Sequence, residues 1–113
     1  MEMEELQKLG EWLCRSLLAR DFETIAKNLG YALAGEIPAV DAIKNDFDSA
    51  LKESGGALEC LRYDVAIKPF ASGTPGFFNL IECRFAFSNA NQEILAEIIE
   101  NERGCYLEQI SCV

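Results

Sequence analysis

Phe77-Phe78-Asn79-Leu80-Ile81-Glu82-Cys83-Arg84-Phe85-Ala86-Phe87-Ser88 reads as the central strand of one sheet. Side chains alternate faces along a strand, so Phe77, Ile81, Cys83, Phe85 and Phe87 fall on one side. Glu82, Arg84 and Ser88 fall on the other, with Phe78 and Leu80 as apolar exceptions. The first face requires a cover. The chain before residue 60 supplies amphipathic helices, and the chain around and after the central strand supplies its neighbours.

Upstream, Leu61-Arg62-Tyr63-Asp64-Val65-Ala66-Ile67-Lys68 alternates apolar and polar residues at period two. The turn-rich Ala71-Ser72-Gly73-Thr74-Pro75-Gly76 then predicts an antiparallel hairpin into residues 77–88. Downstream, residues 92–113 admit two readings. As a helix, Ile94, Leu95, Ile98 and Ile99 share one face, but Glu93, Glu97 and Glu100 then repel one another at helical spacing. As a strand, Ile94 to Ile99 leads into an Asn101-Glu102-Arg103-Gly104 turn and a last strand over 105–113. The strand reading is preferred, because it completes a four-stranded meander with short connections.

Before residue 60 the period is helical. Met3, Leu6, Leu9, Leu13 and Leu17 form a stripe over 3–20, interrupted by Gly10 at a cost of about 1 kcal/mol relative to Ala. Asp21 is placed to cap a short second helix that buries Phe22, Ile25, Ala26 and Leu29 and stops at Gly30. Tyr31 to Gly35 is a turn or brief strand. A third helix starts at Pro38, buries Val40, Ile43, Phe47, Ala50 and Leu51, and stops at Gly55-Gly56. Its Asp41, Asn45, Asp48 and Lys52 face water. The expected fold is α+β, a single domain over 1–113 with N-terminal helices packed on a C-terminal antiparallel meander.

Nineteen acidic against ten basic residues give a net charge of −9, spread over both halves of the chain. That field repels phosphate backbones, so nucleic acid is not expected as a partner, whereas a basic protein is permitted. The acidic start Met1-Glu2-Met3-Glu4-Glu5 has no apolar signal core, and no run reaches membrane-spanning length. A cytoplasmic protein with no membrane partner is expected. The five cysteines are an odd number without a C-x-x-C pair, and read as small apolar core residues. With no histidine and no matching cysteine spacing, no metal site is expected.

The order of elements resembles the cone-shaped fold of nuclear transport factor two-like and cystatin-like proteins. Two stretches carry the likeness: Trp12 to Ala26, a helix broken at Ala19-Arg20-Asp21-Phe22, and Ile37 to Phe47, a helix start followed by Ala42-Ile43 and Phe47. Gly104-x-Tyr106-Leu107-Glu108-Gln109-Ile110 resembles the closing strand of small bacterial immunity-type proteins. The first likeness implies a small-ligand, isomerase- or cyclase-type cone in which an Asp and a Tyr handle a proton. Asp46 is the carboxylate nearest to qualifying, with Tyr31 and Tyr63 as partners, while Asp64 points away from Tyr63. The second implies a toxin inhibitor.

The absence of histidine removes His-dependent nucleophiles, and no phosphate-binding glycine loop is present. Without a histidine, basic neighbours in sequence such as Arg84 and Arg103 are too little to make a reactive thiolate. No catalytic residue and no cofactor are therefore assigned. Surface remains. Glu93, Glu97, Glu100 and Glu102 lie close together, Phe78, Leu80, Leu95 and Ile99 supply apolar groups on the uncovered sheet face, and Asp41 and Asp48 add charge on the third helix. These residues are expected to meet a protein partner, a basic toxin domain or a second copy joined through the open sheet face.

Overall fold

The computed structural model describes residues 1–55, 59–71 and 75–113. Gly56 of the expected helix stop and residues 72–74 of the glycine-rich loop lie outside the described residues. Three helices, α1 (Met3–Leu18), α2 (Phe22–Leu29) and α3 (Ala39–Ser54), precede four strands, β1 (Cys60–Pro69), β2 (Phe77–Phe87), β3 (Ile94–Asn101) and β4 (Gly104–Cys112). The strands form one antiparallel sheet in chain order. The helix-then-meander reading holds, and residues 94–101 are strand rather than helix.

Local chemistry sets the helix boundaries. Asp21 caps α2, its Oδ1 accepting from the Thr24 hydroxyl at 2.9 Å and from the Thr24 N–H at 3.4 Å. Gly30 ends α2 at a φ of 66°, where a side chain would be strained. Pro38 sits one place before α3 as its cap rather than at its first helical position. Between α1 and α2 the chain turns at Arg20, itself at a φ of 58°. Its guanidinium reaches Asp48 of α3 at 2.9 Å and lies 5.0 Å from the centre of the Phe22 ring, so one side chain fastens three helices at one corner.

One face of the sheet carries the core. Ile81, Cys83 and Phe85 of β2, Ile94, Ala96 and Ile98 of β3 and Leu107 of β4 are fully buried beneath Leu6, Leu13, Leu17, Ile25 and Ile43. Phe47 of α3 stands between Phe22 and Phe85, at ring separations of 6.1 and 6.4 Å. Gly10 allows α1 to lie close on the sheet: a Cβ there would stand 2.5 Å from a Val65 methyl and 3.1 Å from an Ile81 methyl. The residue that reads as a weak point of the helix is a point of contact. Met3, assigned to the buried stripe, is 57% exposed beyond the edge of the core.

Three irregularities shift the alternation. The register slips by one residue between Cys60 and Arg62, between Phe77 and Asn79, and between Gln109 and Leu107, leaving Leu61, Phe78 and Glu108 as the extra residues of β-bulges. Leu61 consequently leaves the inner face and is 62% exposed. Phe77, read as inward, pairs with Asn101 one residue out of phase with the Asn79–Glu100 pair, and so turns to the outer face.

Candidate functional site

Among the described residues no helix lies over the outer face of the sheet. Reading across the four strands, one row is Lys68, Leu80, Ile99 and Tyr106, the next Ala66, Glu82, Glu97 and Gln109, and the next Asp64, Arg84, Leu95 and Ser111. The centre of this face is therefore a carboxylate pair, Glu82 buried to 8% exposure and Glu97 half-buried, with Leu80 and Ile99 on one side and Arg84 and Leu95 on the other. Glu82 and Glu97 stand directly opposite one another, an arrangement that is unfavourable for like charges. Each leans on a neighbour. Lys68 Nζ lies 2.7 Å from Glu82 Oε1, and Gln109 Nε2 donates to Glu97 Oε1 at 2.7 Å. Arg62 and Arg84 meet Glu93 at 3.4 and 3.6 Å at one end of the face.

The residues expected to form the surface separate into groups. Leu80 and Ile99 are paired neighbours on the outer face and half-buried, and Leu95 is on that face but only 6% exposed, packed down among its neighbours. Phe78 is half-exposed as the extra residue of a bulge, at the end of the sheet rather than in the central rows. Glu93 and Glu97 are outward and engaged as above, and Glu102 is exposed in the β3–β4 turn. Glu100 is different. It faces inward and is 4% exposed, with Asn79 Nδ2 and the Met1 ammonium each 2.8 Å from its carboxylate. Burial opposes its ionisation, but those hydrogen bonds outweigh burial and hold its carboxyl below the usual range. The four glutamates are thus not one cluster, because strand alternation sends Glu97 and Glu100 to opposite faces.

On α3, Asp41 is exposed. Asp48 is held by Arg20 and by Lys44 at 3.2 Å, and these partners overcome the effect of burial to lower its pKa. Glu82 was legible as an outward residue, yet nothing in the sequence alone placed it opposite Glu97. That requires the register of β2 against β3.

A second place brings Asp46 and Tyr31 together. Tyr31 donates its hydroxyl proton to Asp46 Oδ2 at 2.5 Å, and the Tyr31 hydroxyl oxygen in turn accepts from the Ile110 N–H at 3.2 Å. Burial first, and the adjoining carboxylate second, push the Tyr31 pKa upward, so the hydroxyl keeps its proton. Beside the pair lies a cleft of about 250 Å³ between α3 and β4, lined by Asp46, Ser49, Glu53, Ser111 and Cys112 among others. Tyr63 is elsewhere, 6.3 Å from Phe85 on the inner face near the β1 edge, and Asp64 points outward as its alternation requires.

The cysteines are free, with Cys14 and Cys83 fully buried and the other three partly covered. The Cys83 thiol, pushed up by its hydrogen bond with Cys14 and by burial, stays protonated. Burial likewise raises Cys60, Cys105 and Cys112. Among the described residues no group of three or more Cys, Asp or Glu side chains is placed to hold a metal ion, and no helix is long and apolar enough to cross a membrane. The chain matches no protein-family profile, no curated protein and no solved structure.

Proposed function

We propose that this chain is a cytoplasmic, non-enzymatic binding protein whose outer sheet face docks onto a basic protein domain, in the manner of a bacterial immunity protein covering the active site of a nuclease-type toxin. The observation that carries the reading is the Glu82–Glu97 pair at the middle of an uncovered face, with Leu80 and Ile99 beside it. A cationic side chain from a partner would add a counter-charge to this opposed pair, which in the free protein is engaged by Lys68 and Gln109. The −9 net charge draws a basic partner in, and the half-buried apolar neighbours supply area to cover. At a toxin's basic site the carboxylates would occupy the place of substrate phosphates.

Affinity capture with wild-type protein and with the Leu80→Lys variant, followed by binding of the purified partner at several salt concentrations, tests this. The expected partner is basic, is lost from the variant, and associates more slowly as salt rises. A partner retained equally by both proteins contradicts the reading.

A second reading rests on the Tyr31–Asp46 pair beside the α3–β4 cleft. There the chain would take a small ligand whose hydrogen-bond donors match Asp46, Glu53 and the serines, with or without turnover. Loss of ligand binding in Asp46→Asn, with the fold intact, would favour it over the sheet face.

A further inference from the structure

The two edges of the sheet are not alike. The β4 edge is covered: Tyr31 bridges to Leu107, its hydroxyl takes the Ile110 N–H, and α3 and the short 3-10 turn over Ala32–Ala34 pack alongside. Among the described residues, β1 is hydrogen-bonded to β2 alone. Phe70 donates its N–H to the Phe78 carbonyl at 3.0 Å, which fixes the alternation of the strand. The backbone of Asp64, Ala66 and Lys68 turns toward β2, and that of Tyr63, Val65 and Ile67 turns to the free edge. Pro69, next on that edge, has a carbonyl but no N–H to offer. Among the described residues, Tyr63, Val65 and Ile67 make no backbone hydrogen bond outside the sheet. Such an edge is a template for another strand.

The side chains select which strand. We propose that β1 pairs antiparallel with β1 of a second copy about a twofold axis at Ala66, joining two four-stranded sheets into one. In that register Asp64 of each copy faces Lys68 of the other, and the small Ala66 faces itself. On the inner side each Val65 meets Ile67. Each Val65–Ile67 pair exchanges two backbone hydrogen bonds, and each Tyr63 N–H reaches a Pro69 carbonyl at the ends of the ladder. Neighbouring registers are worse. Centring the axis on Val65 sets Arg62 against Lys68, and centring it on Asp64 sets two carboxylates against each other.

Charged residues on an edge strand ordinarily repel added strands; here their order is self-complementary. Both charges are available. Asp64 is highly exposed and paired only loosely, with Arg62 at 3.8 Å, and Lys68 is held by Glu82 on the outer face, next to the edge, with its side chain 60% exposed.

Sedimentation equilibrium of the full chain over micromolar to high-micromolar concentration tests the pairing. Wild type is expected to be a dimer. Asp64→Lys turns two attractive pairs into two repulsive ones and is expected to raise the dimer dissociation constant roughly tenfold. Adding Lys68→Asp to it restores the opposite charges and the dimer. Val65→Pro removes an N–H that the monomer's own ladder does not use, and is expected to give a folded monomer by circular dichroism. Tyr106→Lys, on the same open face but on β4, away from the β1 edge, leaves the dimer intact. A wild type that stays monomeric overturns the proposal, as does a dimer whose dissociation constant is unchanged in Asp64→Lys or that is lost in Tyr106→Lys.

Discussion

Glu82 of β2 and Glu97 of β3 face one another across the middle of the uncovered sheet face, two carboxylates in directly opposed positions. Folding alone does not favour this placement, since like charges directly opposite destabilise a sheet. A surface retained for a cationic partner would show this signature. In the free chain Lys68 and Gln109 are the neighbours that engage the two carboxylates.

Glu97→Gln separates the two roles. The amide keeps the size of the side chain and an acceptor for Gln109, but removes the opposed charge. The free variant is expected to be as stable as wild type or more stable by about 0.2–1 kcal/mol in urea unfolding. Its association with the basic partner is expected to be slower, with a shallower dependence on salt.

Gly10→Ala is expected to destabilise, although Ala is the better helix former. The gain in propensity is about 1 kcal/mol. Against it stands a new methyl 2.5 Å from Val65 and 3.1 Å from Ile81, an overpacking that costs typically about 1–3 kcal/mol. A lowered urea midpoint is the predicted outcome. A raised midpoint would mean that α1 lies farther from β1 and β2 than described.

Tyr31→Phe deletes a hydroxyl that joins η1, α3 and β4, where η1 is the Ala32–Ala34 turn. Leaving the Ile110 N–H without its partner costs about 1–3 kcal/mol. The pH dependence carries a sign. Tyr31 has its pKa raised above 10.0, so its contribution is complete below pH 10 and is lost as pH rises further, when the unfolded chain ionises and the folded one does not. The thiols, raised from 9.0, add a similar decline that begins about one unit lower. In unfolding measured against pH, the variant is expected to keep the decline that begins near pH 9 and to fall less steeply than wild type above pH 10, where the thiols and Tyr106, whose pKa is also raised, still contribute.

Much of this architecture was legible in the hydrophobic period alone. The change from helical spacing to alternation near residue 60 located the boundary between layers, and Asp21 and Gly30 marked the ends of α2. Residues 94–101 were ambiguous because Ile94, Leu95, Ile98 and Ile99 also fit a helical stripe; the repulsion among Glu93, Glu97 and Glu100 at helical spacing favoured the strand. The bulges left no such trace. One extra residue at Leu61 or Phe78 reverses the facing of what lies beyond it, and composition does not announce it, so simple alternation puts Leu61 and Phe77 on the wrong side. The proximity of the four glutamates in sequence was misleading for a related reason. Glu97 and Glu100 are three apart, an odd step in a strand, and one is outside while the other is inside. Conversely, Tyr31 and Asp46 meet through the packing of η1 on α3, a relationship that no spacing rule contains.

The most direct test of the docking account is methyl NMR of the chain titrated with its purified basic partner. The Leu80, Leu95 and Ile99 methyls lie on the outer face, and those of Ile25 and Ile43 lie under the helices. The account predicts large shifts or broadening at Leu80, Leu95 and Ile99, little change at Ile25 and Ile43, and loss of the outer-face effect in Leu80→Lys. Perturbation concentrated on α1 to α3, with the outer-face methyls unmoved, would contradict it.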